Sequence, residues 1–278
     1  MDVRAELLGS LRLLVDGAPA DVRGPKRRAV LALLAFAEGR AVSVEHLLDA
    51  LYPAEVPDSG RQALHTHVSR LRAPLGAAAD RLTTLPDGYR LDLDALDVTR
   101  ARALLAGART GDALDRLREA HELWRGPVLA DLLDVGPIAA AVEGCAQLHR
   151  DVTDALVEAS VAAGAAGTVL DLATASSAAD LREPAVLLLM RTLAGTGRAP
   201  EALRVGRQYR RALADETGWT RHRHRTPWSA TSREVRSLPP PDPAGPPCRR
   251  RPPARRPGWS GARRRSPRCT GCSRPSGR

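Results

Sequence analysis

Arg61, Gln62, His65, Thr66, Ser69, Arg70 and Arg72 fall within twelve consecutive residues. Arginine and glutamine side chains can form bidentate hydrogen bonds with base edges, and a threonine can offer its methyl to thymine. The chemistry these residues suit is the reading of a major groove. A solvated helix with ordinary surface arginines would carry the same types, so the elements around them have to decide. The segment SGRQALHTHVSRLRAPLG, residues 59–76, has Leu64, Val68, Leu71 and Leu75 at i, i+4, i+7 and i+11, one apolar stripe at the helical period. A hairpin is expected next, with strands Arg81–Leu85 and Tyr89–Leu93 around Pro86-Asp87-Gly88. Gly88 is expected to supply the positive φ of its turn. A basic amphipathic helix running into a hairpin is the layout of a winged helix.

Upstream, residues 3–16 hold two short apolar runs split by Gly9-Ser10 and closed by Gly17, which suit a small antiparallel sheet. Gly24-Pro25 opens a helix, since proline is tolerated where an N–H has no partner. Val30, Leu31, Leu33, Leu34 and Ala37 bury it. Lys26, Arg27 and Arg28 stand at its start, where cations oppose the helix dipole. A phosphate would compensate them, and so would plain solvent. Ser43 is an N-cap for a third helix carrying Val44, Leu47, Leu48 and Leu51. The order is sheet, helix, helix, loop, helix, hairpin.

The net charge of +10 invites a nucleic-acid reading, but it is unevenly placed. Residues 1–218 carry 26 basic against 30 acidic residues, or −4; residues 219–278 carry 16 Arg against Glu234 and Asp242, or +14. The basic balance belongs to the last 60 residues alone. A single Lys, a single Phe, a single Ile and no Asn, beside abundant Arg, Ala, Leu and Gly, point to a GC-rich genome. The longest wholly apolar stretch, Ala29–Ala37, is nine residues, short of the roughly 20 that span a bilayer. The start MDVRAELLG has no basic segment followed by an apolar one, so no signal peptide is expected. Cys145 is the one cysteine before residue 219, which excludes a disulfide framework there. A cytoplasmic protein without membrane contact is expected.

The strings LLGSLRLLVDG, RGPKRRAVLALLAFAEGRAVSVEHLLDALYP, RQALHTHVSRLRAPLG and LTTLPDGYRLDLD resemble, in order, the OmpR-type winged helix of the SARP transcriptional activators, the actinobacterial antibiotic regulatory proteins. Residues 94–217 are helical in pattern, over Val98–Ala108, Gly111–Trp124, Ile138–Ala163, Gly167–Ser176, Pro184–Gly195 and Ala199–Leu213. DALDRLREAHELWRGPVLADL, residues 112–132, and residues 182–218 resemble the bacterial transcriptional activator domain, a tetratricopeptide-like module. The short string Leu123-Trp124-Arg125-Gly126-Pro127 is its most characteristic, and Trp124 is expected in the packing core.

The fold implied is mostly α: a winged helix with a small β-sheet and a β-hairpin wing over 1–93, an all-α tetratricopeptide-like module over 94–218, and a disordered C-terminal tail over 219–278. The resemblance implies a sequence-specific activator of secondary-metabolite genes that binds double-stranded promoter DNA at direct repeats. Arg61, His65, Thr66, Ser69 and Arg70 would read bases and phosphates, and a rotation of one residue changes which of them faces a base. Arg72 would grip phosphate, and Lys26, Arg27 and Arg90 the flanking backbone. The helical module would contact RNA polymerase or form a homodimer. The competing reading is a helical interaction module whose winged helix binds protein, which salt dependence would separate. A Walker-type loop, G-x-S-x-G and a metal cluster are all missing before the tail, so neither an enzyme nor a cofactor is expected.

Three departures stand out. Pro74 should end the recognition helix near Arg72, because an interior proline costs roughly 3 kcal/mol. Ala73 stands where relatives commonly carry another base. Val205 replaces an aromatic residue of relatives and should loosen the last helix pair. After Gly218 the resemblance stops, and 12 of the 22 prolines lie beyond it. That tail reads either as a disordered basic arm or as an out-of-frame product of a GC-rich gene; shifting its frame by one base can turn Trp219 onward into Leu-Asp-Pro. Cys269 and Cys272 lack two further ligands at zinc spacing.

Overall fold

The computed structural model describes residues 1–108, 112–179 and 182–217. The expectations about the tail, its cysteines and its reading frame lie outside the described residues. Strands β1 (Val3–Glu6) and β2 (Arg12–Val15) pair antiparallel with Val3 opposite Val15, and β3 (Ala18–Ala20) pairs with β2. The two-residue loop between β2 and β3, Asp16-Gly17, has both residues at positive φ (49° and 80°), the twist a tight hairpin needs.

Helix α1 (Pro25–Phe36) starts at proline behind Gly24 at φ 90°. Every residue from Ala29 to Ala35 is buried, so the helix is covered all round. The cause is its position: α1 packs on the next two helices of the winged helix and also on a helix of the C-terminal module. That double contact explains why eight consecutive apolar residues, Ala29–Phe36, sit in one helix with no polar face among them.

β4 (Val42–Ser43) leads into α2 (Val44–Leu51), where the Ser43 hydroxyl accepts the His46 amide at 3.1 Å. α3 (Gly60–Leu75) follows, then a 3-10 turn, Gly76–Arg81. Contrary to expectation, α3 runs on through Pro74. Pro74 lies in the last turn, so a single hydrogen bond is forgone, and Leu75, 2% exposed, anchors the end in the core.

The wing is β5 (Leu82–Leu85) with β6 (Gly88–Leu91), shorter than expected at its outer ends, and β4 adds to β6. Gly88 is not a positive-φ turn residue but part of β6, and it is needed for space. A Cβ there would stand 2.2 Å from the Val42 carbonyl oxygen of β4.

β7 (Ala95–Leu96) returns to the first sheet parallel to β1, giving the order β3-β2-β1-β7. Helices α4 (Asp97–Gly107), α5 (Ala113–Glu122), α6 (Gly136–Ala162), α7 (Leu170–Ala179), α8 (Glu183–Gly195) and α9 (Ala199–Thr217) complete a mostly helical chain. One buried core runs from Val3 through α1–α5 to Val152 in α6, and a second gathers Val157 with α7, α8 and α9. Val205 packs against the second core beside Tyr209. At roughly 40 Å, α6 is long enough to serve both.

The junction of winged helix and helical module is hydrogen-bonded as well as apolar. The buried Asp97 carboxylate accepts the amides of Leu7 and Leu8 at 2.8–2.9 Å and lies 3.3 Å from the Arg125 guanidinium. The amides of Arg125 and Leu129 in turn donate to the carbonyls of Leu8 and Gly9. Arg28 of α1 pairs with Asp131 at 2.8 Å, and Arg102 of α4 with Glu38 at 2.6 Å. Trp124, expected in the core, packs against its edge and is half-buried. Its neighbour Arg125 turns towards Asp97 and Glu6, which leaves the indole on a cleft wall.

Candidate nucleic-acid interface

Two stripes with identical spacing run along α3. Leu64, Val68, Leu71 and Leu75 are all at most 2% exposed and hold the helix on the core. Gln62, Thr66, Ser69 and Ala73 repeat that spacing two residues earlier, which puts them about 200° round the helix, nearly opposite. Gln62, Ser69 and Ala73 are exposed and Thr66 half-exposed; the Thr66 hydroxyl donates to the Gln62 carbonyl at 2.9 Å, so its methyl and lone pairs remain for a partner. Arg61 and Arg70 are exposed on the two flanks of this outward line.

On one flank, α3 meets the wing. The His65 ring stands edge-on to Tyr89 of β6, with centroids 6.3 Å apart. Tyr89 is 3% exposed, and burial raises its phenol pKa, against the lowering effect of Arg72. Arg72, expected to grip phosphate, is tied to the wing. Its Nε and Nη2 donate to the Leu82 carbonyl at 3.1 and 2.8 Å, and Nη2 donates to the Thr84 hydroxyl at 2.7 Å. The side chain leaves α3 on the wing side, and its Nε and Nη2 hold β5 in place. Arg90 on β6 is half-exposed, with Nε 3.2 Å from Asp92.

On the other flank, α3 meets the start of α1. The Lys26 ammonium sits 3.6 Å from the centroid of the Tyr52 ring, a cation–π contact that fixes its position. Arg27 and Arg70 line one cleft of about 400 Å³ together with Arg23, Ala73 and Pro74. His67 is half-buried nearby, its Nδ1 enclosed without a hydrogen-bond partner. Burial pushes its pKa down, and the charges of Lys26, Arg27 and Arg70 push it further the same way.

The structure thus brings Lys26, Arg27 and Arg70 together and sets His65, Arg72 and Arg90 at the wing, while Arg61, Thr66 and Ser69 lie along the outward part of α3. Sequence reasoning named Gln62 as a base-contacting type without counting it among the readers, and shifting the apolar stripe by two positions places it there. It left out Arg23 and His67, because only the packing of α1 on α3 makes them part of the cluster. Among the described residues, no group of three or more His, Cys, Asp or Glu side chains could hold a metal ion, and no helix is long and apolar enough to cross a membrane.

Comparison with known proteins matches residues 22–91 to the family "Transcriptional regulatory protein, C terminal" and residues 91–226 to the "Bacterial transcriptional activator domain". The transcriptional regulatory protein EmbR of Mycobacterium tuberculosis is 35% identical over 230 residues, 76% of this chain and 58% of EmbR. The regulatory protein AfsR of Streptomyces coelicolor is 35% identical over 228 residues, covering 78% of this chain and 23% of AfsR. The transcriptional regulator RedD of the same organism is 31% identical over 235 residues, 78% of this chain and 66% of RedD. A solved structure of M. tuberculosis EmbR in complex with a low-affinity phosphopeptide superposes with a TM-score of 0.77 at 31% identity, covering 85% of this chain and 66% of that one. The chain therefore spans less than two thirds of the first of these relatives. With two matched domains in the same order as the two halves of the fold, the chain belongs to the SARP family of transcriptional regulators.

Proposed function

We propose that the chain is a sequence-specific, DNA-binding transcriptional activator that acts at promoters of secondary-metabolite genes carrying direct repeats. The observation that carries this reading is the outward line of α3, small and polar along its centre and flanked by cations on one side and a braced wing on the other. In this reading Arg61, His65, Thr66, Ser69 and Arg70 contact bases and phosphates, with Gln62 added to them, and the small side chains at Ser69 and Ala73 let the helix sit deep in the groove. Lys26, Arg27 and Arg90 hold the flanking backbone, and Arg72 positions the wing. Residues 1–93 form the DNA-reading unit and 94–218 the unit that contacts RNA polymerase or a second copy in a homodimer, in the cytoplasm. No catalytic role is assigned, in keeping with relatives that are transcriptional regulators.

Selection of bound sites from a random duplex pool by the full chain tests the reading. Recovery of a repeated motif is expected, with log affinity falling steeply against log salt as phosphate contacts require. Arg70→Ala should then cost about 1–3 kcal/mol of binding to the selected site in a gel-shift assay and leave the melting temperature unchanged. Failure to enrich any motif, together with salt-insensitive binding of a protein partner, would favour an interaction module instead.

A further inference from the structure

The characteristic string Leu123–Pro127 has no task in the DNA-reading proposal, yet it walls a cleft between α5 and α6. Trp124, His149 and His121 form a three-ring stack there. The indole and the His149 imidazole lie 4.7 Å apart at 21°, and the two imidazoles 5.4 Å apart at 34°. Val142 and Ala146 of α6, with Pro127 and Val128, line the rest of a space of about 470 Å³, within the range that encloses a small organic molecule. All three rings are half-buried, so each keeps surface open to solvent.

The charge of the lining is one-sided. Burial pushes the pKa of both imidazoles down, and His121 pushes that of His149 further. Burial thus favours the neutral form of both rings, and Glu122 is the one carboxylate among the lining residues. Stacked neutral rings with a carboxylate at the rim attract a flat cation twice over, through the negative faces of the rings and through the carboxylate. We propose that this cleft is a binding site for a small, planar, heteroaromatic cation. The site is separate from the α3 surface and does not depend on the reading of DNA.

The test titrates full-length protein with 9-aminoacridine, a flat cation, in the absence of DNA, and follows quenching of the dye as it stacks. Saturable binding of one dye per chain is expected. Ala146→Phe fills the cleft without removing a ring and should weaken binding by about tenfold or more. Glu122→Gln is an exposed change that leaves packing intact, so it still reports should the Phe variant fold poorly. It should weaken 9-aminoacridine several-fold and leave uncharged acridine unaffected. Absence of saturable binding, or unchanged affinity in a folded Ala146→Phe variant, overturns the site. Equal effects of Glu122→Gln on the two dyes, or none on either, overturn the cation assignment.

Discussion

Asp97→Ala removes the acceptor at the centre of the junction, and its cost follows from what is left behind. Asp97 Oδ1 accepts from the amides of Leu7 and Val98 at 2.9 Å, and Oδ2 from those of Leu7 and Leu8 at 2.8 Å. Leu7 and Leu8 are fully buried, so water cannot replace the carboxylate. The stranded Leu7 and Leu8 amides cost about 1–3 kcal/mol each, which puts the substitution at about 2–6 kcal/mol before any effect on Val98 or Arg125. Against a net stability of about 5–15 kcal/mol for a typical domain, that is a large share. Urea unfolding followed by circular dichroism measures it, with Asp134→Ala in an exposed loop as the comparison. A loss no greater than that of Asp134→Ala would refute the account. The pH dependence gives a second reading of the same group. Burial raises the Asp97 carboxyl pKa, outweighing the Leu7 and Leu8 amides and the Arg125 charge, which lower it. The native chain therefore takes up a proton at Asp97 more readily than the unfolded chain does. Its contribution is present in full below the unfolded value, about pH 4, and is lost as pH rises through the raised folded value. Asp97→Asn cannot ionise and should lack that slope; an identical slope in the variant would show that another group carries it.

Two further substitutions probe the wing. Gly88→Ala should break the β4–β6 pairing, because its Cβ would collide with the Val42 carbonyl oxygen, and should cost about 2–4 kcal/mol in thermal or urea unfolding; a near-neutral result would mean the strands separate freely. Arg72→Ala should cost about 1–2 kcal/mol of stability through its lost hydrogen bonds and should lower DNA affinity with little change in salt slope. A salt slope reduced by about one unit would instead identify Arg72 as a phosphate contact.

The helices were legible in the sequence because their signals are local. Leu64, Val68, Leu71 and Leu75 declare a buried face by spacing alone, and Ser43 declares a helix start by its type and place. What escaped is decided by residues far apart in the chain. Gly88 looked like a turn glycine, and only the approach of β4 shows that it is there for its missing side chain. Ala95 and Leu96 carry no strand pattern, and two residues suffice because β1 offers a ready edge. The bonds from Arg72 to β5 were not visible in the sequence, because the hairpin folds back beneath it. Val30, Leu31, Leu33, Leu34 and Ala37 read as the buried residues of α1, whereas all of Ala29–Ala35 is buried, with α6 packed on the helix as well. In the candidate site, residue types and the buried line of α3 were visible, but the neighbours that α1 and the wing bring to its flanks were not.

The junction around Asp97, Arg125 and α1 also bears on geometry at a promoter. Among the described residues no free linker separates α3 from the helical module, since β7, just past the winged helix, pairs with β1 of its sheet and a single core runs through both. The winged helix and the helical module are closer to a bracket than to two beads on a string. On the DNA-reading proposal, a reader built this way would not swivel to correct for DNA that has been turned beneath it. On a pair of repeats, the distance between them would dictate the angle between two modules, because each added base pair rotates the second bracket by the twist of the duplex. Adding about half a helical turn, roughly 5 base pairs, would point the two modules to opposite sides, and adding a full turn would realign them. Spacing would then carry regulatory information that no base contact contains.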